Sequence, residues 1–178
     1  PVSLIGDDVA NHTNPILVST NGTNYTTENI ICYNQSTSDP EEAEVTNIYN
    51  WYRNGKPIML LNMPFESASD HSGYDNDVNV SGATLVEGVV GDAYSFDGDD
   101  FISVDDSLST SGPITIEFWL NAGDDYNNSI ASIVYQDSDY EVYIKNGELV
   151  FERNGFIANT NLKSWNNGWH HVAAVDDG

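Results

Sequence analysis

Residues 114–121 read Ile114-Thr115-Ile116-Glu117-Phe118-Trp119-Leu120-Asn121, and their alternation decides the fold class. In an extended chain Ile114, Ile116, Phe118 and Leu120 lie on one side, and Thr115, Glu117, Trp119 and Asn121 on the other. The first set suits the layer between two sheets, and the second set faces outward. Outward from this segment the same texture continues. Val134-Tyr135, Tyr140–Lys145 and Glu148–Arg153 read as short strands, with Asn146-Gly147 as the hairpin turn between the last two. Upstream, residues 48–53 alternate, Asn54-Gly55 is a second hairpin signal, and residues 56–65 continue as an apolar strand. Asn29-Ile30-Ile31-Cys32-Tyr33 reads as a buried strand. Sustained helical periodicity is nearly absent, so the expectation is an all-β chain of antiparallel strands.

The charge is lopsided. Five basic residues stand against 28 acidic ones in 178, a formal charge of −23. Such a surface repels nucleic-acid phosphates and anionic membrane lipids, so neither is an expected partner. The chain has no apolar run of about 18 residues, so direct membrane insertion by a helix of this segment is not expected. Many acids come in pairs: Asp7-Asp8, Asp99-Asp100, Asp105-Asp106, Asp124-Asp125 and Asp176-Asp177. Solvated loop acids explain any one of these; calcium is the sharper reading, since a hard cation gathers several oxygens from one loop. The best such group is Asp70, Asp75 and Asp77 on a glycine-containing loop, with Asp97 near the same end.

Six Asn-X-Ser/Thr sequons begin at Asn11, Asn21, Asn24, Asn34, Asn79 and Asn127. They favour an exported, glycosylated, extracellular or cell-surface protein. Cys32 is the single cysteine. It reads as a small buried hydrophobe, as half of a disulfide whose partner lies beyond Gly178, or, least of all, as a reactive thiol, because nothing electropositive flanks it.

Cys32, followed by Ile48-Tyr49-Asn50-Trp51-Tyr52-Arg53-Asn54-Gly55, resembles immunoglobulin-like modules of large archaeal surface proteins. From residue 60 a second resemblance begins. Leu61-Asn62-Met63-Pro64-Phe65-Glu66 looks like the first strand of a laminin-G-like (concanavalin-A-like) jelly roll. Asp70-His71-Ser72-Gly73-Tyr74-Asp75-Asn76-Asp77, Val80-Ser81-Gly82-Ala83-Thr84 and Gly91-Asp92-Ala93-Tyr94-Ser95-Phe96-Asp97-Gly98 follow that family's pattern. So do Asp99-Asp100-Phe101-Ile102, residues 113–120 and Trp169-His170-His171-Val172-Ala173-Ala174-Val175; one residue usual between Gly98 and Asp99 is missing. The resemblance implies an Ig-like segment over residues 1–59 and a jelly roll over 60–178. Both sandwiches would be incomplete, the second following or interrupting the first, with the remaining strands and a partner for Cys32 after Gly178.

The chemistry this sequence offers is binding rather than catalysis. Glu117 has no second acid at i+2 or i+4 on its face, where Trp119 and Asn121 stand, so the carboxylate pair of a glycosidase is not expected. His170 and His171 are strand neighbours pointing to opposite sides, which speaks against a shared metal. Glu117, Trp119 and Asn121 together form a candidate carbohydrate-binding trio, the indole stacking on a sugar ring and the polar groups bonding its hydroxyls. The bland alternative puts Trp119 under a covering loop. Two functions follow: a non-catalytic structural or adhesive module of a surface protein (S-layer, stalk or filament), associating with copies of itself or neighbouring subunits, or a carbohydrate-binding module of a secreted glycan-active enzyme.

Overall fold

The computed structural model describes residues 10–40, 42, 45–104, 108–123, 130–160 and 165–178. The sequon at Asn127 and the acid pairs Asp7-Asp8, Asp105-Asp106 and Asp124-Asp125 lie outside the described residues. Every described element is a β-strand, and every strand pairing is antiparallel. The all-β expectation holds. The chain divides into two compact units, Pro1–Tyr49 and Asn50–Gly178, so the boundary falls ten residues before the expected 59/60. The hairpin that follows Trp51 belongs with the second unit: Asn50 Nδ2 donates to the carbonyl of Ser72, and Ile58 N–H donates to the carbonyl of Trp51 at 2.8 Å.

The first unit is built on one hairpin, β1 (Asn11–Ser19) with β2 (Ile30–Ser38). Ile16 lies opposite Tyr33, Leu17 opposite Cys32 and Val18 opposite Ile31. The register shifts between Thr13 and Ile16, around Pro15, which has no N–H to give to a ladder. The strand at Cys32 therefore forms as expected, but it is not buried. Ile30, Ile31 and Tyr33 are all exposed, and Cys32 is half-buried and free. A two-stranded ribbon has no second layer to cover its apolar side chains.

In the second unit the Asn54-Gly55 turn joins β3 (Tyr52–Arg53) to β4 (Lys56–Pro57), with both turn residues at positive φ (53° and 77°), as this type of hairpin requires. The apolar strand expected over residues 56–65 stops at Pro57, and Leu61-Asn62-Met63-Pro64-Phe65-Glu66 is not a strand. Its polar groups bond within a loop: Asn62 N–H donates to Asp70, His71 N–H donates to the carbonyl of Asn62, and Asn76 Nδ2 donates to that of Leu60. β5 (Val78–Ser81) pairs with β8 (Phe101–Val104), and β6 (Thr84–Glu87) with β7 (Asp92–Ser95).

The core lies between two sheets. One is β9 (Ile114–Asn121) paired with β14 (Trp169–Asp176); the other runs β10 (Ile130–Gln136), β11 (Tyr140–Lys145), β12 (Glu148–Arg153), β13 (Phe156–Asn159). Ile116, Phe118 and Leu120 of β9 and Val172 and Ala174 of β14 meet Val142 and Ile144 of β11 and Leu149 of β12. Trp165 closes this layer, fully buried, with its indole N–H donated to the carbonyl of Gly147 at 3.1 Å. At about 25 cal/mol per Å² of apolar surface, side chains of this size supply most of the driving force for folding.

Candidate binding face

The alternation of β9 reaches the surface as the pattern requires. Ile114, Ile116, Phe118 and Leu120 face the core side, while Thr115, Glu117, Trp119 and Asn121 are exposed. Register then decides what stands beside them on β14: His171 is opposite Trp119, Trp169 opposite Asn121, and Ala173 opposite Glu117. The Trp119 and His171 rings meet edge-on, with centroids 5.2 Å apart at 61°. His171 Nε2 lies 3.6 Å from Glu117 Oε1. Trp119 is 50% exposed and Trp169 36%, so Trp119 is not sealed beneath a loop. A flat indole is thus held beside a carboxylate, an amide and an imidazole, all open to solvent. This arrangement can stack on a ring and bond its hydroxyls.

The neighbouring histidine goes the other way, as strand alternation demands. His170 turns inward, its Nε2 2.9 Å from the carbonyl of Trp165 and its ring edge-on to that indole. One metal ion cannot be chelated by both.

The four acids considered for calcium are not brought together. Asp70 is the centre of a loop: Oδ1 accepts from Asn62 N–H (3.0 Å) and Ser72 N–H (2.9 Å). Its Oδ2 accepts from Ser72 Oγ (2.7 Å), Asn76 N–H (3.1 Å) and Asn76 Nδ2 (2.7 Å). These donors fill the acceptor sites of a carboxylate, which number about four. Burial pushes the Asp70 carboxyl up, but the hydrogen bonds from Asn62, Ser72 and Asn76 outweigh it and hold the pKa at about 2. Asp75 and Asp77 are exposed on the same loop. Asp97 instead groups with Asp99 and Asp100, ligand oxygens within 4.8 Å of one another, the one such cluster among the described residues. Asp100 is fixed there by accepting from Asp97 N–H at 2.9 Å and by lying against Gly82, where any Cβ would collide with its carboxylate.

Of the sequons, Asn11, Asn21, Asn24, Asn34 and Asn79 are exposed. Sequence reasoning missed Arg153, which is 4% exposed. Its guanidinium donates to Asp139 (3.0 Å), Asp176 (2.8 Å), the carbonyl of Gly112 (2.9 Å) and that of Thr110. Burial alone would lower its pKa, but Asp139 and Asp176 keep it raised, so the charge is permanent. Asp139 also accepts from Thr110 N–H at 2.9 Å, which ties three strand ends to one loop. The missed signal was a basic residue among so many acids. The Trp169 and His171 half of the outward face was also missed, because it depends on the β9–β14 register.

Residues 66–177, more than half of the chain, match the family described as Clostridium neurotoxin, N-terminal receptor binding. The chain belongs to that family. Its matched span begins in the Asp70 loop region and ends within β14, so it includes both strands of the outward face. The family is one of β domains named for receptor binding, which agrees with a face equipped for contact. No curated protein and no solved structure matches the chain. No helix among the described residues is long and apolar enough to cross a membrane.

Proposed function

We propose that this chain is a non-catalytic adhesive module of an extracellular surface protein, and that it binds glycan through the outward face of β9 and β14. The observation behind this is Trp119, half-exposed, with Glu117 and Asn121 on the same face and His171 against its edge. An indole left in water at the centre of a well-formed strand costs apolar burial that Phe118 and Leu120 on the same strand recover. A stacking surface for a ligand is a physical reason to keep it there. Membership of a receptor-binding family, exposed sequons and the acidic surface agree with an extracellular binding role. The second unit is read as a jelly roll of the laminin-G-like kind on the strength of its two packed sheets. Association with further copies belongs to the same reading, since β9 and β14 each have one edge without a partner strand among the described residues.

A glycan array probed with the intact protein tests it. Saturable binding to at least one glycan, abolished by Trp119→Ala with the melting temperature unchanged, is the expected result. Full binding by that variant, or no binding by the native chain, sinks the glycan reading.

A further inference from the structure

Resting on that glycan reading, we infer that the face has a second stacking position, Trp169 on β14, and that it selects an uncharged oligosaccharide of at least two sugar residues. Trp169 pairs with Asn121 and His171 with Trp119, so the two indoles are diagonal neighbours on one side of the same two-stranded sheet. Diagonal partners lie about 7–8 Å apart along such a ribbon, within reach of large aromatic side chains. Both indoles are open to solvent. Two flat rings separated by one strand step fit a linear chain of linked pyranoses better than a single ring, which would use only one of them. Asn121, between them, offers both a donor and an acceptor to hydroxyls.

Charge sets the class of sugar. Glu117 stands on this face with His171 as its cationic partner only when that imidazole is protonated, and the chain carries −23 overall. A sialylated or sulfated chain would meet a negative field with no Lys or Arg among these five residues to receive it. A neutral oligosaccharide meets no such penalty. A protein partner is disfavoured by the interleaving, because a carboxylate, an amide and an imidazole break up the apolar area that a dry protein interface would bury.

The test is titration calorimetry of the intact protein with a monosaccharide and a tetrasaccharide of one neutral sugar that the array identifies, and with the sialylated form of that tetrasaccharide. The tetrasaccharide is expected to bind more tightly than the monosaccharide. Trp169→Ala should weaken it about three- to tenfold, and Trp169→Tyr should restore most of the loss. The sialylated form should bind more weakly than the neutral one, by a margin that shrinks with added salt and with Glu117→Gln. Equal binding of the two forms by the native protein overturns the inference, and that arm does not depend on any variant folding. Tetrasaccharide affinity indifferent to Trp169→Ala while Trp119→Ala abolishes it also overturns it, and leaves the parent reading intact. Indifference to both substitutions overturns both. A concentration-dependent dimer that Trp169→Ala dissolves would assign the face to a second copy instead.

Discussion

Trp165 and Trp119 sit on opposite sides of the same pair of strands and illustrate two uses of one side chain. Trp165 is 1% exposed, has its N–H bonded, and packs with Val142, Ile144 and Val172. Trp119 is 50% exposed and meets the His171 ring edge-on. The polar groups divide the same way. Arg153 and Asp139 are buried and paired, while Glu117 and His171 are open to water and loosely apposed. The buried Arg153–Asp139 cluster is therefore satisfied by its neighbours, while the outward face is left with unspent hydrogen-bonding capacity. Stability and recognition should respond to different substitutions.

The strongest way to break that division is at Arg153. Arg153→Ala leaves Asp139, 8% exposed, without its cation and strips donors from the carbonyls of Thr110 and Gly112. Removing one partner of a buried ion pair costs about 3–5 kcal/mol. Urea unfolding should show the midpoint falling by that equivalent with the slope unchanged. A loss under about 1 kcal/mol would place the cluster with the ordinary surface pairs and dissolve the contrast.

The Asp70 loop sharpens the comparison from the acid side. With its folded-state pKa at about 2, below the ordinary 3.8, Asp70 is stabilised in its charged form by folding. Its contribution is complete above the unfolded value and is lost as the pH falls from about 4 to about 2. The full shift would correspond to somewhat over 2 kcal/mol, and partial exposure with solvent screening reduces this to about 1–2 kcal/mol. Asp70→Asn should lower stability at pH 7 by that amount, and the difference from the native protein should shrink as the pH falls through about 2 and vanish only below it. A difference that persists well below pH 2 would mean that the hydrogen bonds to Ser72 and Asn76, and not the charge, hold the loop.

How much of this could be read from the sequence follows from how local each determinant is. The strand at residues 114–121 was legible to the residue because its own alternation states both faces. Asn54-Gly55 and Asn146-Gly147 were legible because the turn chemistry is contained in two residues; Asn154-Gly155, between β12 and β13, carried the same signal and went unread. The run at 56–65 misled because an apolar stretch does not reveal where its backbone bonds go, and here they go to a loop built around Asp70. Arg153 was invisible since its partners are 14, 23, 41 and 43 residues away. For the binding face, the β9 trio was readable, while Trp169 and His171 joined it only through register.

The smallest expected effect is the most informative about function. Trp119→Ala removes an indole that is half in water and packs against one ring edge. A buried Trp truncation costs about 3–5 kcal/mol, but the transfer and cavity terms behind that figure scale with buried area and volume, of which Trp119 has only part. The expected change in unfolding free energy is about 1 kcal/mol or less, well below that of Arg153→Ala. The edge contact with His171 contributes no more than about 1 kcal/mol, and the Glu117–His171 pair that remains is exposed and screened. Chemical denaturation of the two proteins side by side measures this. An unchanged midpoint means that any loss of binding in the variant belongs to the face itself. A loss approaching that of Arg153→Ala would mean instead that Trp119 braces the β9–β14 pair, and its exposure would then need another explanation than a ligand.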